Sequence, residues 1–262
     1  MNHYQQNYKI VGADIDITYH LTPNGVLLYF QDCFANYLKT QRLAAFDLIK
    51  DNLLWIISQI NMTFIGPRPI WSETISVEIW VRKISTVKLF VNFNIKNGAS
   101  EVVAEGDSVW AVINTKTKRP HNISELLDSR GITPDPTDIN KIRMTTESQK
   151  TLYKEITHQV NMTDLDFNGH MCNRSYLNLA MGTAPIDFIR TYLPQKLSIQ
   201  FKHESFMGEE LRCQVFQTQG THQFFYSILN TQGVEICTIA SEWQPNSNEN
   251  PDISTCVNRD DA

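Results

Sequence analysis

Asp164, Asp166, Asn168 and His170 alternate through the seven residues Asp164-Leu165-Asp166-Phe167-Asn168-Gly169-His170, with Asn173 and Tyr176 close behind. Carboxylates and an imidazole move protons, and an amide holds a carbonyl oxygen, so this pattern suits general acid–base hydrolysis with stabilisation of an oxyanion. A helix starting near Asn173 adds backbone N–H groups and the positive end of its dipole beside the reacting carbonyl. Other readings use the same residues. Asp, Asn and Gly are also what a strand-to-helix turn and its cap require. Asp164-x-Asp166-x-Asn168-Gly169 matches the first half of a calcium loop, but the twelfth position is Ser175 where a bidentate Glu is needed, and a strand-like run precedes it. Cys172, two residues past His170, invites a thiolate; against it stands the commoner role of a cysteine as a buried, inert thiol.

The elements that must position this loop occur twice. In the first half, residues 14–21 alternate polar and apolar, the period of a half-buried strand. After the break Thr22-Pro23-Asn24-Gly25, the residues Val26, Leu27, Phe30, Phe34, Tyr37 and Leu38 recur at the spacing of an amphipathic helix, and a second helical piece spans 43–49. β runs follow over 55–65, 74–81, 87–95 and 102–113, with Lys96-Asn97-Gly98 as a hairpin turn. In the second half, 156–162 is strand-like, 176–189 helical, and β runs cover 197–201, 211–216, 224–229 and 235–243.

Landmarks superpose: Glu73-Thr74-Ile75 on Glu209-Glu210-Leu211, Asn97-Gly98 on Gln232-Gly233, and Ser108-Val109-Trp110 on Ser241-Glu242-Trp243, at offsets of 136, 135 and 133 residues. The near-constant offset marks an internal duplication. Pairing Thr22 to Tyr29 with Thr163 to Tyr176 leaves six extra residues in the second copy, which makes the Asp/Asn/His cluster an insertion there. The expected boundaries are a first domain over 1–120, a polar linker over 121–150 with at most a short helix near Ser124, a second domain over 151–244, and a disordered tail over 245–262.

With 42% apolar and 19% charged residues, the 262-residue chain has ordinary globular composition and can bury a sizeable core. A formal charge of -5 argues against general nucleic-acid binding. Cys33, Cys172, Cys213, Cys237 and Cys256 are scattered, odd in number and without a Cys-x-x-Cys pair, so they read as reduced thiols rather than a disulfide framework or zinc site. The first residues lack the apolar core of a signal peptide, and no run approaches the ~18 apolar residues of a membrane span. A soluble cytoplasmic protein is the expectation.

The motif Asp-Leu-Asp-x-Asn-x-His followed by Asn173 and Tyr176 resembles the signature of the plant and bacterial acyl-acyl carrier protein thioesterases. Leu197-Ser198-Ile199-Gln200-Phe201-Lys202-His203-Glu204 resembles the family's strand that ends in a functional Glu, here 34 residues past the histidine. The stretches 108–114 and 117–119 and the helix around 28–31 resemble further family segments, so the likeness covers residues 8 to 243. It implies an α+β tandem hot-dog fold, each half a helix wrapped by an antiparallel sheet. It also implies hydrolysis of a fatty acyl thioester carried on acyl carrier protein, without a cofactor or metal.

By motif position the functional residues are Asp166, Asn168, His170 and Glu204. Glu204 is the expected base for water, with Asp166 holding the loop and Asn168 and His170 binding the carbonyl, although the two carboxylates could exchange roles. Two departures stand out: Ser205 where plant members often carry Cys, and Cys172 where Asn is usual. Both favour direct attack by water over a covalent acyl-enzyme.

The resemblance places the acyl chain in the first copy, against Leu28, Phe34, Trp55, Ile57, Met62 and Phe64, with Trp80 and Trp110 as further wall candidates; without it, these are core residues. Acyl carrier protein is acidic, so a basic docking surface is expected from among Arg42, Lys116, Lys118, Arg119, Arg174, Lys202 and the Lys141 to Arg143 stretch. The alternatives are a hot-dog acyl-CoA thioesterase or dehydratase, and a non-catalytic acyl-binding module. Tandem copies supply pairing within one chain, which leaves monomer and homodimer both open.

Overall fold

The computed structural model describes residues 3–139, 150–218 and 220–246. The tail beyond 246, most of the second half of the expected linker, Lys141, Arg143 and Cys256 lie outside them. Among the described residues ten strands form one antiparallel sheet: β1 (His3–Lys9), β2 (Leu53–Phe64), β3 (Thr74–Ile84), β4 (Leu89–Lys96), β5 (Val102–Asn114), β6 (Lys150–Gln159), β7 (Tyr192–Phe201), β8 (Glu210–Thr218), β9 (Gln223–Asn230) and β10 (Glu235–Pro245). Their order is β1-β3-β4-β5-β2-β7-β10-β9-β8-β6, the same five-strand pattern twice, running outward from a central seam. At the seam β2 pairs with β7, Gln59 opposite Gln200 through Thr63 opposite Lys196. Both copies thus share one sheet, the arrangement of a double hot-dog.

Helix α1 (Pro23–Thr40) is wrapped by the first half. The Thr22 side chain accepts from the Gly25 N–H, and Pro23 stands at the first position, where its missing donor costs nothing. Val26, Leu27, Phe30, Cys33, Phe34 and Leu38 form its buried face. Phe30 stacks on Phe93 with ring centroids 4.3 Å apart, and Phe34 meets Trp110 at 4.7 Å, so aromatic rings fill the space between helix and sheet. A short helix α2 (Ala45–Leu48) follows, as the 43–49 pattern indicated.

Three local expectations change. Residues 14–21 form no strand: a 3₁₀ turn at Gly12–Asp14 leads into a loop closed by an isolated pairing of Ile15 with Leu21. Here the polar members Asp14, Thr18 and His20 are buried while Ile17 and Tyr19 are exposed, the reverse of what alternation implied. The helical pattern over 176–189 splits into α4 (Asn173–Met181) and α5 (Ile186–Thr191), because Gly182 and Pro185 intervene and the residue before proline avoids helical geometry. The start of the linker belongs to the first copy. Helix α3 (Ser124–Asp128) anchors it with Ile123, Leu127 and Ile132 fully or nearly buried, and the Thr137 carbonyl accepts from Trp80 Nε1 at 2.9 Å.

Candidate active site

The loop between β6 and α4 is tied down by its own carboxylates. After a 3₁₀ turn at Met162–Asp164, Asp164 Oδ2 accepts from the Asn161 N–H at 2.9 Å and from His158 Nε2 at 2.8 Å. Leu165 pairs with Met171 across the loop. Asp166 Oδ1 accepts from the N–H groups of Asn168 at 2.8 Å and His170 at 3.2 Å, and Oδ2 lies 3.4 Å from Asn168 Nδ2. Gly169 sits at φ +77°, a left-handed conformation that glycine adopts without steric cost. Both carboxylates therefore accept from N–H donors in or beside the loop, which is turn chemistry.

Glu204 lies three residues beyond the end of β7, on the connection and not on the strand itself. Its Oε1 is 3.6 Å from His170 Nδ1, and its Oε2 is 3.8 Å from Lys118 Nζ. The Phe206 ring meets the His170 ring edge-on, centroids 5.0 Å apart. Asp166, Asn168, His170 and Glu204 all line one cavity of about 360 Å³, together with Asn173 and Tyr176. Its other wall comes from the first copy: Trp55 and Ile57 on β2 and Trp110 on β5. A larger hollow of about 640 Å³ on the sheet of the second copy, beside Gln200 and Tyr226, contains none of these four residues.

Of the expected acyl-chain residues, Trp55 and Ile57 face this cavity. Leu28, Phe34, Met62 and Phe64 do not line it; the last three are core residues. Trp80 is likewise buried and donates to the linker start. Cys172, at the N-cap of α4, is outside the cavity lining and keeps its Sγ 3.2 Å from Ser175 Oγ. Ser205 is fully buried and outside the cavity lining.

Among the basic candidates, Arg42, Lys116, Lys118 and Arg119 are exposed. Lys202 pairs with Glu235, and Arg174 reaches Asp14 Oδ1 at 3.1 Å and Asn24 Oδ1 at 3.3 Å in the first copy. Sequence reasoning did not foresee Lys118 beside Glu204, nor the contact of Phe46 with Phe167, rings 6.0 Å apart and both largely exposed. Nothing in the local pattern signals pairs this distant along the chain.

The Asp/Asn/His loop is not an insertion. Ile15 pairs with Leu21 as Leu165 pairs with Met171, and α1 starts at Pro23 as α4 starts at Asn173, each 150 residues on. Asp16 Oδ1 accepts from the Thr18 N–H at 2.8 Å and the His20 N–H at 3.5 Å, repeating the bonds of Asp166. Aligning Thr22 with Thr163 misplaced the register by nine residues, because it set a helix start in one copy against a loop start in the other. Both copies carry the loop; the residues on it differ.

The two halves also match known sequence families. Residues 1–128 fit the acyl-ACP thioesterase N-terminal domain, and residues 147–245 fit the acyl-ACP thioesterase C-terminal domain. The chain belongs to the acyl-ACP thioesterase family. Curated relatives include a chloroplastic acyl-(acyl-carrier-protein) hydrolase of Cuphea viscosissima, 23% identical over 79% of this chain and 52% of that protein. Another is a chloroplastic palmitoyl-acyl carrier protein thioesterase of Cuphea hookeriana, 22% identical over 92% of this chain and 62% of that one. The chain thus spans between about half and two thirds of the length of these relatives.

Solved structures with the same fold include an acyl-ACP thioesterase from Bacteroides thetaiotaomicron, with a TM-score of 0.78 at 20% identity over 93% of this chain and 98% of that one. The 12:0-ACP thioesterase from Umbellularia californica gives a TM-score of 0.78 at 17% identity over 94% and 98%. In this acyl-ACP thioesterase family member the first family match ends with α3, and the second contains the whole loop, Glu204 and the strands that carry them.

Proposed function

We propose that the chain hydrolyses the thioester of a fatty acyl group carried on acyl carrier protein and releases the free acid. The observation that carries this reading is the convergence of Asp166, Asn168, His170 and Glu204 on one cavity with an apolar wall from the other copy. Asp166 is occupied by loop N–H groups, whereas Glu204 is a third exposed and open to water, which supports Glu204 as the base. Water attacks the thioester carbon and passes its proton to Glu204. Asn168 Nδ2 and the His170 ring donate to the oxygen as it becomes an oxyanion. Collapse breaks the C–S bond, and the departing thiolate takes the proton back from Glu204. The acid leaves with the new C–O bond.

The acyl chain runs along Trp55, Ile57 and Trp110, and the carrier docks at the exposed cationic turn of Lys116, Lys118 and Arg119 beside the cavity mouth. Both walls come from one chain, which supports a monomer competent by itself. The test measures free thiol released from acyl carrier protein and CoA thioesters of matched chain length. Faster release from the carrier series is expected. Release favouring CoA would point to an acyl-CoA thioesterase, and no release above background from either defeats the enzyme reading.

A further inference from the structure

The loop of the first copy retains the bonding of the second but has an arginine in place of the proposed base. Asp16, Thr18 and His20 stand where Asp166, Asn168 and His170 stand. Ile70 bridges His20 as Phe206 bridges His170, and the same 136-residue step sets Arg68 in the place of Glu204. Arg68 is 4% exposed, and its Nη1 donates to Asp16 Oδ2 at 2.8 Å. A guanidinium stays protonated and cannot take a proton from water. On the reading proposed above, a carrier therefore has to present its thioester at the cavity of Glu204.

The surface beside that cavity carries an apolar patch. Phe167 lies between Asp166 and Asn168, which line the cavity, yet Phe167 itself is 69% exposed. Phe46, 75% exposed, comes from α2 of the first copy and brings its ring to 6.0 Å from that of Phe167. Ile49 is three residues past Phe46, so it shares that helical face, and it is 52% exposed, while Leu48 is buried. The outward face of this segment is thus apolar where a surface helix usually carries polar groups. The Thr115 N–H and hydroxyl both donate to the Asn52 carbonyl, at 2.8 and 3.2 Å. Those bonds join the end of the α2 segment to the turn of Lys116, Lys118 and Arg119, and Lys118 lines the cavity. Residues 41–51 and 115–119 hold Arg42, Lys50, Lys116, Lys118 and Arg119 against Asp47 and Asp51, a local positive excess in a chain of net charge -5. One of those carboxylates, Asp47, accepts from the Ala44 N–H at 3.0 Å.

We propose that Phe46, Ile49 and Phe167 are the anchor on which an acidic acyl carrier protein docks, with the turn of Lys116, Lys118 and Arg119 as its charged rim. This choice of partner rests on the hydrolase reading. The patch goes beyond the cationic turn: the turn steers the carrier in, and the apolar side chains hold it. Exposed apolar patches rimmed by polar groups mark interaction sites, and aromatic side chains carry much of the affinity at the centre of an interface. The positive excess complements an acidic partner and raises the rate of encounter. A thioester delivered on a tethered arm keeps its carrier close to the mouth, so the bound carrier covers the ground next to Asp166 and Asn168.

The full chain is titrated with a fluorescent acyl carrier protein bearing a decyl chain through a thioether, which cannot be hydrolysed. The double variant Phe46→Ser/Ile49→Ser should raise Kd about tenfold or more with an unchanged melting temperature, since both side chains are exposed. Trp71→Ser removes another exposed side chain, beside Tyr19 of the first-copy loop, and should leave Kd unchanged. In salt of about 1 M, where the screening length is roughly 3 Å, the parent should associate more slowly and still bind. Unchanged affinity in the double variant, an equal loss in Trp71→Ser, or no binding by the parent at either salt concentration would each overturn the proposal. Sedimentation of the parent but not the double variant with phosphatidylglycerol vesicles would assign the patch to a membrane and overturn it too. Binding needs no turnover, so a failed thiol-release assay with carrier binding intact would defeat the hydrolase reading and leave the docking surface standing.

Discussion

Nδ1 of His170 faces Oε1 of Glu204 at 3.6 Å, and the two residues come from opposite ends of the segment that holds α4, α5 and β7. The separation is longer than a hydrogen bond and short enough for substrate to close it, as catalytic contacts in unliganded sites often are. His170→Ala and Glu204→Ala should each lower kcat on the order of 10²-fold or more. Because they act on one transition state, the double variant should lose far less than the product of the two. Thiol release from an acyl carrier protein thioester measures all three; independent, multiplying losses would show that the pair does not act together.

Cys172→Ala should leave the rate within about threefold of the parent, an effect well under 1.4 kcal/mol in barrier, since its Sγ faces Ser175 and lies outside the cavity lining. A folded Cys172→Ala protein without activity would overturn the water mechanism.

In the proposed mechanism Asp166 acts on the reaction through the loop. Asp166→Ala frees the N–H groups of Asn168 and His170, at a cost of about 1–3 kcal/mol. Asp166→Asn keeps an acceptor oxygen and should recover much of both thermal stability and rate. Equal damage from the two substitutions would instead make the negative charge, and hence a base role for Asp166, the decisive property.

Phe34 stands behind both tryptophans of the cavity wall, its ring 6.2 Å from Trp55 and 4.7 Å from Trp110. Phe34→Leu removes ring volume there and should move the chain-length profile toward longer acyl groups. Assay of a saturated carrier-protein series reads the shift, and an unchanged profile would place the acyl chain elsewhere.

The first-copy loop should make stability sensitive to acid. Burial, then the Arg68 charge, holds the His20 imidazole below its ordinary range. Burial alone would raise Asp16, but Arg68 and Thr18 outweigh it and hold that carboxyl below the usual range. In both groups the unfolded chain binds protons more readily, so stability rises with pH. It should begin to fall as pH drops below about 6.5 through His20, and fall again through Asp16 below about 4. His20→Gln should flatten the first part of this decline in melting temperature, and an unaltered slope would exclude His20 as its source.

Much of this molecule was legible from local pattern. The duplication was visible because Ser-x-Trp and the hairpin turns recur, and each reports a bond or turn made within a few residues: Trp110 with Ser108, Trp243 with Ser241. Strands β3, β4 and β5 and helix α1 followed from their apolar periods, since burial of one face is a local property of the chain. The alternation over 14–21 misled, because buried Thr18 is satisfied by Asp16 and Arg68, and the His20 ring by Thr18, rather than by solvent, and a hydrophobicity period does not register such partners.

By itself the sequence showed what the loop offers: carboxylates and an imidazole able to move protons, an amide able to hold a carbonyl, and Asp166 as the residue expected to hold the loop in place. Tertiary structure decided what those groups face. Only pairing of β2 with β7 brings Trp55 and Trp110 of one copy against Asn168 and His170 of the other, and only the parallel closure of both loops sets Arg68 in the position of Glu204. The physical reason is that side-chain periodicity is fixed by neighbours along the chain, whereas sheet register and cavity walls are fixed by hydrogen bonds and packing between segments more than a hundred residues apart.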